Sequence, residues 1–334
     1  MSVVRAIVLG ATLAGSIACS NTDEGGMVGP ATQVGTTIPM QGTVRKFAVD
    51  PAAHALYATD FLGLVWVIDT RTDKVIDKIE VGAGAQGLAL DPDTRTLYTA
   101  DYQAQTISIV NIDDKTLTAT IPIGNRPDVL ALDPVTNSLY VSHFGADYLS
   151  VIDQVTRTVT TAIPIGTYTD DMALDPAGNR LYLANFGTSR LTVIDTRTNT
   201  ITRTIDCGGR PRGVAVAPAT QRVYCANDDG SVTVLDTWTG RLLATIPVGG
   251  TPFRMSVDPA ACALYLTKND VRPKEAGGDG GPVVVIDTDT NAVTATLLVG
   301  DSPQAVAVDP SSHKVYVNVF LAGNVTVLKP GEAG

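Results

Sequence analysis

One pattern recurs seven times along the chain and constrains its fold more than any other feature. An Asp-Pro dipeptide or its Ala-Pro variant begins at Asp50, Asp91, Asp133, Asp175, Ala217, Asp258 and Asp309, at intervals of 41, 42, 42, 42, 41 and 51 residues. A tyrosine follows seven residues after each of them, at Tyr57, Tyr98, Tyr140, Tyr182, Tyr224, Tyr265 and Tyr316. Each unit holds four short runs rich in β-branched residues, separated by turn-forming residues and without helical periodicity. A repeat of this length and content is typical of a β-propeller blade.

The two ends of the chain indicate how the ring of blades closes. After Tyr316 only one further strand follows, Asn324–Leu328, so the seventh unit lacks a fourth strand. The segment Val34–Met40 matches the fourth-strand pattern of other units but has no blade of its own. We therefore predict an all-β fold over residues 34–330: a seven-bladed β-propeller of four-stranded antiparallel blades. The N-terminal strand completes blade seven and leaves no full-length sheet edge open.

The first residues are typical of a secretion signal. Arg5 precedes an apolar run from Ala6 to Ala14, and small residues at Ser16 and Ala18 form a cleavage pattern. Residues 1–18 are thus predicted to be a signal peptide. Cys19 follows immediately, so a lipoprotein signal with a lipidated Cys19 and ordinary secretion both remain open. Residues 19–33 are predicted to be a flexible tether, and the protein a secreted, periplasmic or extracellular membrane-anchored lipoprotein.

Charge and motif content exclude several classes of partner and cofactor. The net charge is −10 with a pI near 4.7, which disfavours binding to nucleic acid and to anionic membranes. Membrane attachment is expected only through a lipid on Cys19. There is no CxxCH or CxxC pair and no phosphate-binding loop, so no cofactor is predicted. Cys207 and Cys225 are expected as small buried side chains, Cys262 as a free thiol in a turn, and the protein as a monomer.

The sequence around the tyrosines resembles a known repeat family. The tetrapeptides that begin at Tyr140, Tyr182 and Tyr224 (YVSH, YLAN and YCAN), each followed by a Val-Ile-Asp-like strand, are similar to YVTN-type β-propeller repeats. The resemblance extends from Val34 to Leu328. It implies a bacterial secreted or surface scaffold. Related propellers include lyases, lactonases, haem proteins and a nucleic-acid binder, so it implies a fold more than a chemistry.

Strand alternation places two sets of residues at one rim of the predicted channel, the mouth, where propeller ligands are expected. The post-crossing set lies four residues after each blade-to-blade crossing: Arg45, Gln86, Asp128, Asp170, Arg212, Phe253 and Gln304. The post-tyrosine set lies three residues after each tyrosine: Asp60, Asp101, His143, Asn185, Asn227, Lys268 and Val319. Most members are polar among apolar neighbours, which is expected of side chains that solvate a water-filled channel and cap strand ends, or of a mouth that orients a dipolar or anionic ligand.

The charges of these sets are unevenly distributed along the chain. Blades two to four carry acidic residues and His143, whereas blades five, six and one carry the basic ones, with Asp60 of blade one as the exception. We therefore predict a mouth that is acidic on one side and basic on the other. The candidate ligand-binding residues are Arg45, Asp60, Asp101, Asp128, His143, Asp170, Arg212, Arg254 and Lys268.

The leading hypothesis is a binding or interaction scaffold at the cell envelope, with a small molecule or an envelope protein as partner. An enzyme is the first alternative: a lyase or lactonase with acid–base chemistry at His143, Asp128 and Asp170. A second is a divalent-metal-dependent sugar or peptide binder, with Asp101 added to those ligands. Aromatic residues at Phe61, Tyr102, Phe144, Phe186 and Phe320 are expected to pack over neighbouring blades or to stack on a ligand. The insertion at 268–282 is the one long loop expected at this rim.

Overall fold

A computed structural model describes residues 29–270 and 281–331, and these form seven four-stranded antiparallel sheets. Blade one comprises β2 (Val44–Asp50), β3 (Ala55–Asp60), β4 (Leu64–Asp69) and β5 (Lys74–Glu80). Blade two comprises β6 (Ala85–Asp91), β7 (Thr96–Asp101), β8 (Thr106–Asn111) and β9 (Thr116–Pro122). Blade three comprises β10 (Pro127–Asp133), β11 (Ser138–His143), β12 (Tyr148–Asp153) and β13 (Thr158–Pro164). Blade four comprises β14 (Asp171–Asp175), β15 (Arg180–Asn185), β16 (Arg190–Asp195) and β17 (Thr200–Asp206).

The remaining blades follow the same order. Blade five comprises β18 (Pro211–Ala217), β19 (Arg222–Asn227), β20 (Ser231–Asp236) and β21 (Leu242–Pro247). Blade six comprises β22 (Pro252–Asp258), β23 (Ala263–Lys268), β24 (Gly281–Asp287) and β25 (Val293–Gly300). Blade seven comprises β26 (Pro303–Val308), β27 (Val315–Val319), β28 (Asn324–Pro330) and, at its outer edge, β1 (Ala31–Pro39). Single 3₁₀ turns span Phe186–Thr188 and Pro218–Thr220. Within the described ranges no helix is long and apolar enough to cross a membrane.

The N-terminal strand closes the ring as predicted. Strand β1 pairs antiparallel with β28, with Thr37 opposite Thr326 and Ile38 opposite Val325. The strand begins at Ala31, three residues inside the predicted tether. Ala31 is fully buried, and its amide donates to the Tyr265 hydroxyl at 2.6 Å, which anchors the start of the strand to blade six. Blade seven is therefore assembled from both ends of the propeller sequence.

The hydrophobic core lies between the blades. Tyr140, Leu149 and Val151 of blade three pack with Leu181 and Ile194 of blade four, and an equivalent cluster fills each of the other interfaces. The second strands β3, β11 and β23 are buried along their whole length because both of their faces meet a neighbouring sheet. A single blade would expose both apolar faces to water, so the blades are stable only in the ring.

The recurring tyrosine links neighbouring blades through its hydroxyl. The Tyr140 hydroxyl bonds to the Thr196 carbonyl at 3.2 Å and to Asn199 Oδ1 at 2.6 Å, both in blade four. Tyr316 of blade seven reaches the Thr70 carbonyl and Asp73 of blade one in the same way. Burial raises the pKa of Tyr140 to about 12, so the hydroxyl keeps its proton at neutral pH. In these two blades the repeated tyrosine thus joins one blade to the turn of the next.

We expect Tyr140→Phe to lower the free energy of unfolding by about 1 kcal/mol, because the Thr196 carbonyl and Asn199 Oδ1 lose the hydroxyl that donates to them. Tyr224→Phe is the matched control. The Tyr224 hydroxyl is buried without a hydrogen-bond partner among the described residues, so its removal should be neutral or stabilising. Urea denaturation of both variants measures the difference. Equal losses in the two variants would contradict this role of the hydroxyl.

The Asp-Pro turns are stabilised by hydrogen bonds to their own aspartates, and the cysteines differ in their bonding. Asp133 Oδ1 accepts hydrogen bonds from the amides of Val135 and Thr136, and the same local bonds recur in the other Asp-Pro turns. Cys207 and Cys225 are buried and free, with their Sγ atoms 3.3 Å apart. Cys262 is disulfide-bonded, so the prediction of a free thiol there is wrong.

Candidate functional site

A cavity of about 180 Å³ lies at the mouth, and the post-crossing set builds it. Six of the seven members of that set line the cavity: Arg45, Gln86, Asp128, Asp170, Phe253 and Gln304. Lys46, Val129, Phe144 and Arg254 complete its wall. We call this cavity and its lining residues the mouth cup. Blades one, two, three, four, six and seven all contribute to it, as a site on the axis of the ring requires.

Bulges in the first strands explain why adjacent residues both face the cup. In blades one, three and six the pairing of the first and second strands shifts register at the mouth end, between Val44 and Phe47 in blade one. A β-bulge turns neighbouring side chains toward the same side and is common beside binding sites. Lys46 therefore joins Arg45 in the cup, and Arg254 joins Phe253. Sequence alternation alone missed Lys46, because it carries no signal for a bulge.

Ion pairs cross the channel beneath the cup. Lys46 Nζ of blade one lies 3.1 Å from Asp171 Oδ1 of blade four. Arg254 of blade six lies 3.9 Å from Asp171 and 3.8 Å from Asp170, and Arg212 of blade five lies 3.4 Å from Asp170. Burial alone would raise the pKa of Asp171, but the charges of Lys46 and Arg254 overcome it and hold that pKa below its usual value. Lys46 and Arg254 line both the cup and a second cavity of about 140 Å³ further along the channel, so these pairs form the floor of the cup.

These pairs modify the predicted separation of charge. The acidic and basic residues do come from opposite blades, as the sequence indicates. Their side chains meet across the axis, however, and neutralise each other instead of forming two separate fields. The narrow end of the channel brings the two sides within contact distance, which a residue-by-residue reading cannot show. Asp128 is not part of this network: it accepts a 2.6 Å hydrogen bond from Gln86 Nε2, and burial raises its pKa.

The post-tyrosine set lies inside the blades and is absent from the lining of the cup. Asp60 accepts hydrogen bonds from Trp66 Nε1 and from the amides of Leu62 and Leu64. Asp101 accepts from Thr99, Thr106 and Ser108, and burial raises its pKa. The Lys268 ammonium donates to the Val248 carbonyl at 3.1 Å. Asp60, Asp101, His143 and Lys268 thus lie outside the lining of the cup, with polar groups engaged within or between sheets, and their ligand-binding roles stay a prediction.

His143 is buried outside the cup and hydrogen-bonded within its own blade. Its Nδ1 lies 3.2 Å from the Asn125 carbonyl, which can only accept, so the proton resides on Nδ1. Its Nε2 then accepts from the Ser150 hydroxyl at 2.8 Å. His143 is 1% exposed and does not line the cup, whereas Asp128 and Asp170 do. The three residues proposed for catalysis are thus not brought together. The serine–histidine pair was missed by sequence reasoning, and its burial separates it from the cup.

We expect His143→Asn to remove an acid-sensitive component of stability. Burial lowers the pKa of His143 below its unfolded value of about 6.5, so the unfolded chain takes up the proton first as the pH falls. The stabilisation is complete above pH ~6.5 and is lost as the pH falls below it, by up to about 1.4 kcal/mol per pH unit. Asparagine occupies the same position in blades four and five, where Asn185 donates to Thr192 and Asn227 to Thr233.

Urea denaturation at pH 7.0 and 5.5 measures this component. The loss on acidification should be smaller in His143→Asn than in the wild type. His54→Asn, at an exposed turn of the opposite rim, should keep the wild-type dependence. An unchanged pH dependence in His143→Asn would contradict the prediction.

Neither the cup nor its surroundings contain a metal-ligand cluster. Across the described residues, no group of three or more His, Cys, Asp or Glu side chains is arranged to hold a metal ion. Asp101 is engaged by three hydroxyl groups and His143 by its own blade, so the four predicted ligands do not converge. Of the predicted insertion, residues 271–280 lie outside the described ranges. Asp270, at its start, accepts a 2.7 Å hydrogen bond from the Thr251 amide.

Aromatic side chains form a belt around the mouth and pack across blades. Phe61, Tyr102, Phe144 and Tyr168 contact one another in sequence, with centroids 6.1, 5.8 and 6.1 Å apart. Arginines stack on the belt: Arg45 lies 4.8 Å from both Phe61 and Phe320, and Arg212 lies 4.1 Å from Phe186. Phe144 remains 46% exposed and lines the cup. The belt thus serves packing and also presents an aromatic face to a ligand.

This architecture is shared by many solved structures. One match is a chain described as Kuenenia stuttgartiensis hydrazine synthase, with a TM-score of 0.74 over 96% of this chain and 99% of that one, at 19% identity. The likeness establishes the fold. In all, 1876 chains match, so the architecture is common and specifies no function. No protein-family model matches the sequence, and no curated protein matches it.

Proposed function

We propose that the protein is a secreted or lipid-anchored binding module of the cell envelope that holds a small ligand, or the end of a larger one, in the mouth cup. The observation that carries this proposal is the convergence of six blades on one cavity through the same position of each repeat. The polar residues predicted at the mouth ends of the second strands, such as Asp60 and Asp101, instead form hydrogen bonds within their own blades. Polar side chains that are free to face the axis are therefore concentrated at the cup.

The shape and chemistry of the cup support binding. The Lys46–Asp171 pair forms its floor, so a ligand that enters from the mouth meets charged groups at the bottom of the cup. The volume of about 180 Å³ is below the ~300–1,000 Å³ of sites for drug-sized ligands, which favours a small molecule or a terminal group. The amides of Gln86 and Gln304 offer both donors and acceptors, and Phe144 and Phe253 offer apolar faces.

The proposed location at the cell envelope rests on the sequence of the N-terminus, which is outside the described residues. Cleavage after Ala18 would deliver the folded ring outside the cytoplasm, and a lipid would retain it at a membrane in molecules whose Cys19 thiol is available for lipidation. The YVTN-like repeats are consistent with that address, since the resemblance implies secreted and surface scaffolds. Both anchoring modes lead to the same binding site.

Native mass spectrometry of the protein purified from its own cells tests both parts of the proposal. We expect a chain that begins at Cys19, with or without added diacylglycerol, and a small-molecule adduct that is lost on denaturation. Gln304→Trp fills the cup and should abolish the adduct. Thr161→Trp, on the exposed outer strand of blade three, should retain it. An adduct that survives Gln304→Trp, or the absence of any adduct in the wild type, would contradict binding in the cup. A mature chain that still begins at Met1 would contradict the proposed location at the cell envelope.

A further inference from the structure

Arg45 differs from every other cation in and below the cup because no carboxylate is paired with it. Lys46, Arg212 and Arg254 each form an ion pair with Asp170 or Asp171. In the described part of the chain, no ion pair or hydrogen bond involves the Arg45 side chain, and its Nε is buried without a partner. Asp128 is near enough for its charge to act on Arg45, but its carboxylate is bonded to Gln86.

The surroundings of Arg45 make an unpaired charge costly. Its guanidinium is flanked by the rings of Phe61 and Phe320, each with its centroid 4.8 Å away. The rings attract the cation but supply no hydrogen-bond acceptors. Burial lowers the pKa of the guanidinium, which reflects the loss of water around it. A partly desolvated cation with free N–H groups gains most from an anion that accepts them.

The balance of charge at the axis points the same way. Four cations, Arg45, Lys46, Arg212 and Arg254, face three carboxylates, Asp128, Asp170 and Asp171. One positive charge is therefore in excess, in a protein whose net charge is −10. A local excess of positive charge in an acidic protein selects anions at that place and repels them elsewhere.

The aromatic walls define the rest of the ligand. Phe144 and Phe253 line the same cavity as Arg45 and present apolar surface to it. A flat ring can lie against such faces while the planar fork of an arginine binds a carboxylate with two parallel hydrogen bonds. Phosphate would satisfy the charge but would leave these faces uncovered. The cup thus combines one anion anchor with ring-binding walls.

We propose that the mouth cup binds a small ring-bearing carboxylate, an aromatic acid or a sugar acid, whose carboxylate is held by Arg45. This inference rests on the proposed function and names the class of its ligand. Gln86 and Gln304 would then hydrogen-bond to substituents of the ring. The Lys46–Asp171 and Arg254–Asp170 pairs already neutralise the floor, so Arg45 alone supplies the charge that the ligand matches.

Isothermal titration calorimetry at low salt and pH 7 tests the ligand class with two matched pairs. Sodium benzoate is compared with benzamide, and D-galacturonate with D-galactose, so that each acid has a neutral partner of similar shape. We expect one acid to bind at least tenfold more tightly than its neutral partner, because a charge-assisted bidentate contact is lost in the latter. Binding of benzoate would indicate that the ligand is an aromatic acid, and binding of galacturonate would indicate a sugar acid.

Variants of Arg45 test the anchor. Arg45→Gln should weaken binding of the acid by about tenfold or more and leave binding of the neutral partner unchanged. Arg45→Lys keeps the charge but not the fork and should give an intermediate loss. Arg126→Gln is the control, because Arg126 also stacks on the aromatic belt, over Tyr102 and Phe144, but does not line the cup. Thermal denaturation confirms that each variant is folded.

The outcomes separate this inference from the proposed function. Equal binding of acid and neutral partner, no binding by any of the four probes, or an acid that binds Arg45→Gln as well as the wild type would overturn the carboxylate site. The native adduct could still be present in the wild type and absent in Gln304→Trp, and the proposed function would then stand with a ligand of another class. If, in addition, the wild type carries no adduct or the adduct survives Gln304→Trp, both the carboxylate site and the proposed function would be overturned.

Discussion

A chain that starts at Gln41 is expected to lose the cooperative unfolding transition of the full propeller. Removal of β1 takes away six residue pairs with β28 and the buried side chains of Ala31 and Ile38, and it exposes the edge of blade seven. We estimate a cost of about 5 kcal/mol or more, comparable to the whole net stability of many domains. Circular dichroism during thermal denaturation measures the transition.

Two comparisons make this result specific. A chain that starts at Gly29 retains β1 and should unfold cooperatively. Refolding the shortened chain with a synthetic peptide of residues 29–40 should restore the transition, whereas a scrambled peptide of the same composition should not. A chain from Gln41 that melts cooperatively at the temperature of the control would show that the N-terminal strand does not hold the ring closed.

Asp171→Ala is expected to cause the largest loss of stability of any single substitution at the axis, about 3–5 kcal/mol. Asp171 is buried, and its removal leaves Lys46 and Arg254 without their closest shared carboxylate. The Val214 amide, which donates to Asp171 Oδ2 at 3.2 Å, also loses its acceptor. Removing one partner of a buried ion pair destabilises a protein far more than replacing the whole pair with apolar residues, because the remaining charge is left buried and unpaired.

Asp170→Ala provides the control for position and charge. Its shortest ion pair, 3.4 Å to Arg212, is longer than the 3.1 Å pair of Asp171 with Lys46, and its side chain is more exposed. The Asp170 carbonyl that accepts from Arg254 at 2.9 Å also remains in the variant. We therefore expect a loss of about 1 kcal/mol or less. Urea denaturation at pH 7 measures both variants. Equal losses would contradict the assignment of Asp171 as the residue that holds the floor of the cup together.

The repeat made the fold predictable from sequence because each signal had a local cause. The Asp-Pro turns form through hydrogen bonds within a few residues, and the tyrosine offset follows from the length of one hairpin. The strand at Val34–Met40 could be assigned to blade seven because a four-stranded count was left incomplete. Only its start at Ala31 was missed, since the bond from that residue to Tyr265 joins positions far apart in the chain.

The candidate site was predictable only in part. Alternation correctly indicated that the post-crossing set faces the axis, where six of its members now line one cavity. It could not show the bulge that turns Lys46 toward the same cavity. Nor could it show that Asp60, Asp101 and His143 find partners on the third strand of their own blades, because a polar residue near a strand end looks the same whether it serves a ligand or a buried hydroxyl.

The most direct test of a ligand site at the mouth is a crystal structure of the protein soaked with 4-bromobenzoate, with the bromine located by its anomalous scattering. We predict one bromine peak inside the mouth cup beside Phe144 and Phe253, with the carboxylate of the probe within hydrogen-bond distance of Arg45. A cup that holds only water in this crystal, and also in a crystal soaked with D-galacturonate, would contradict the account.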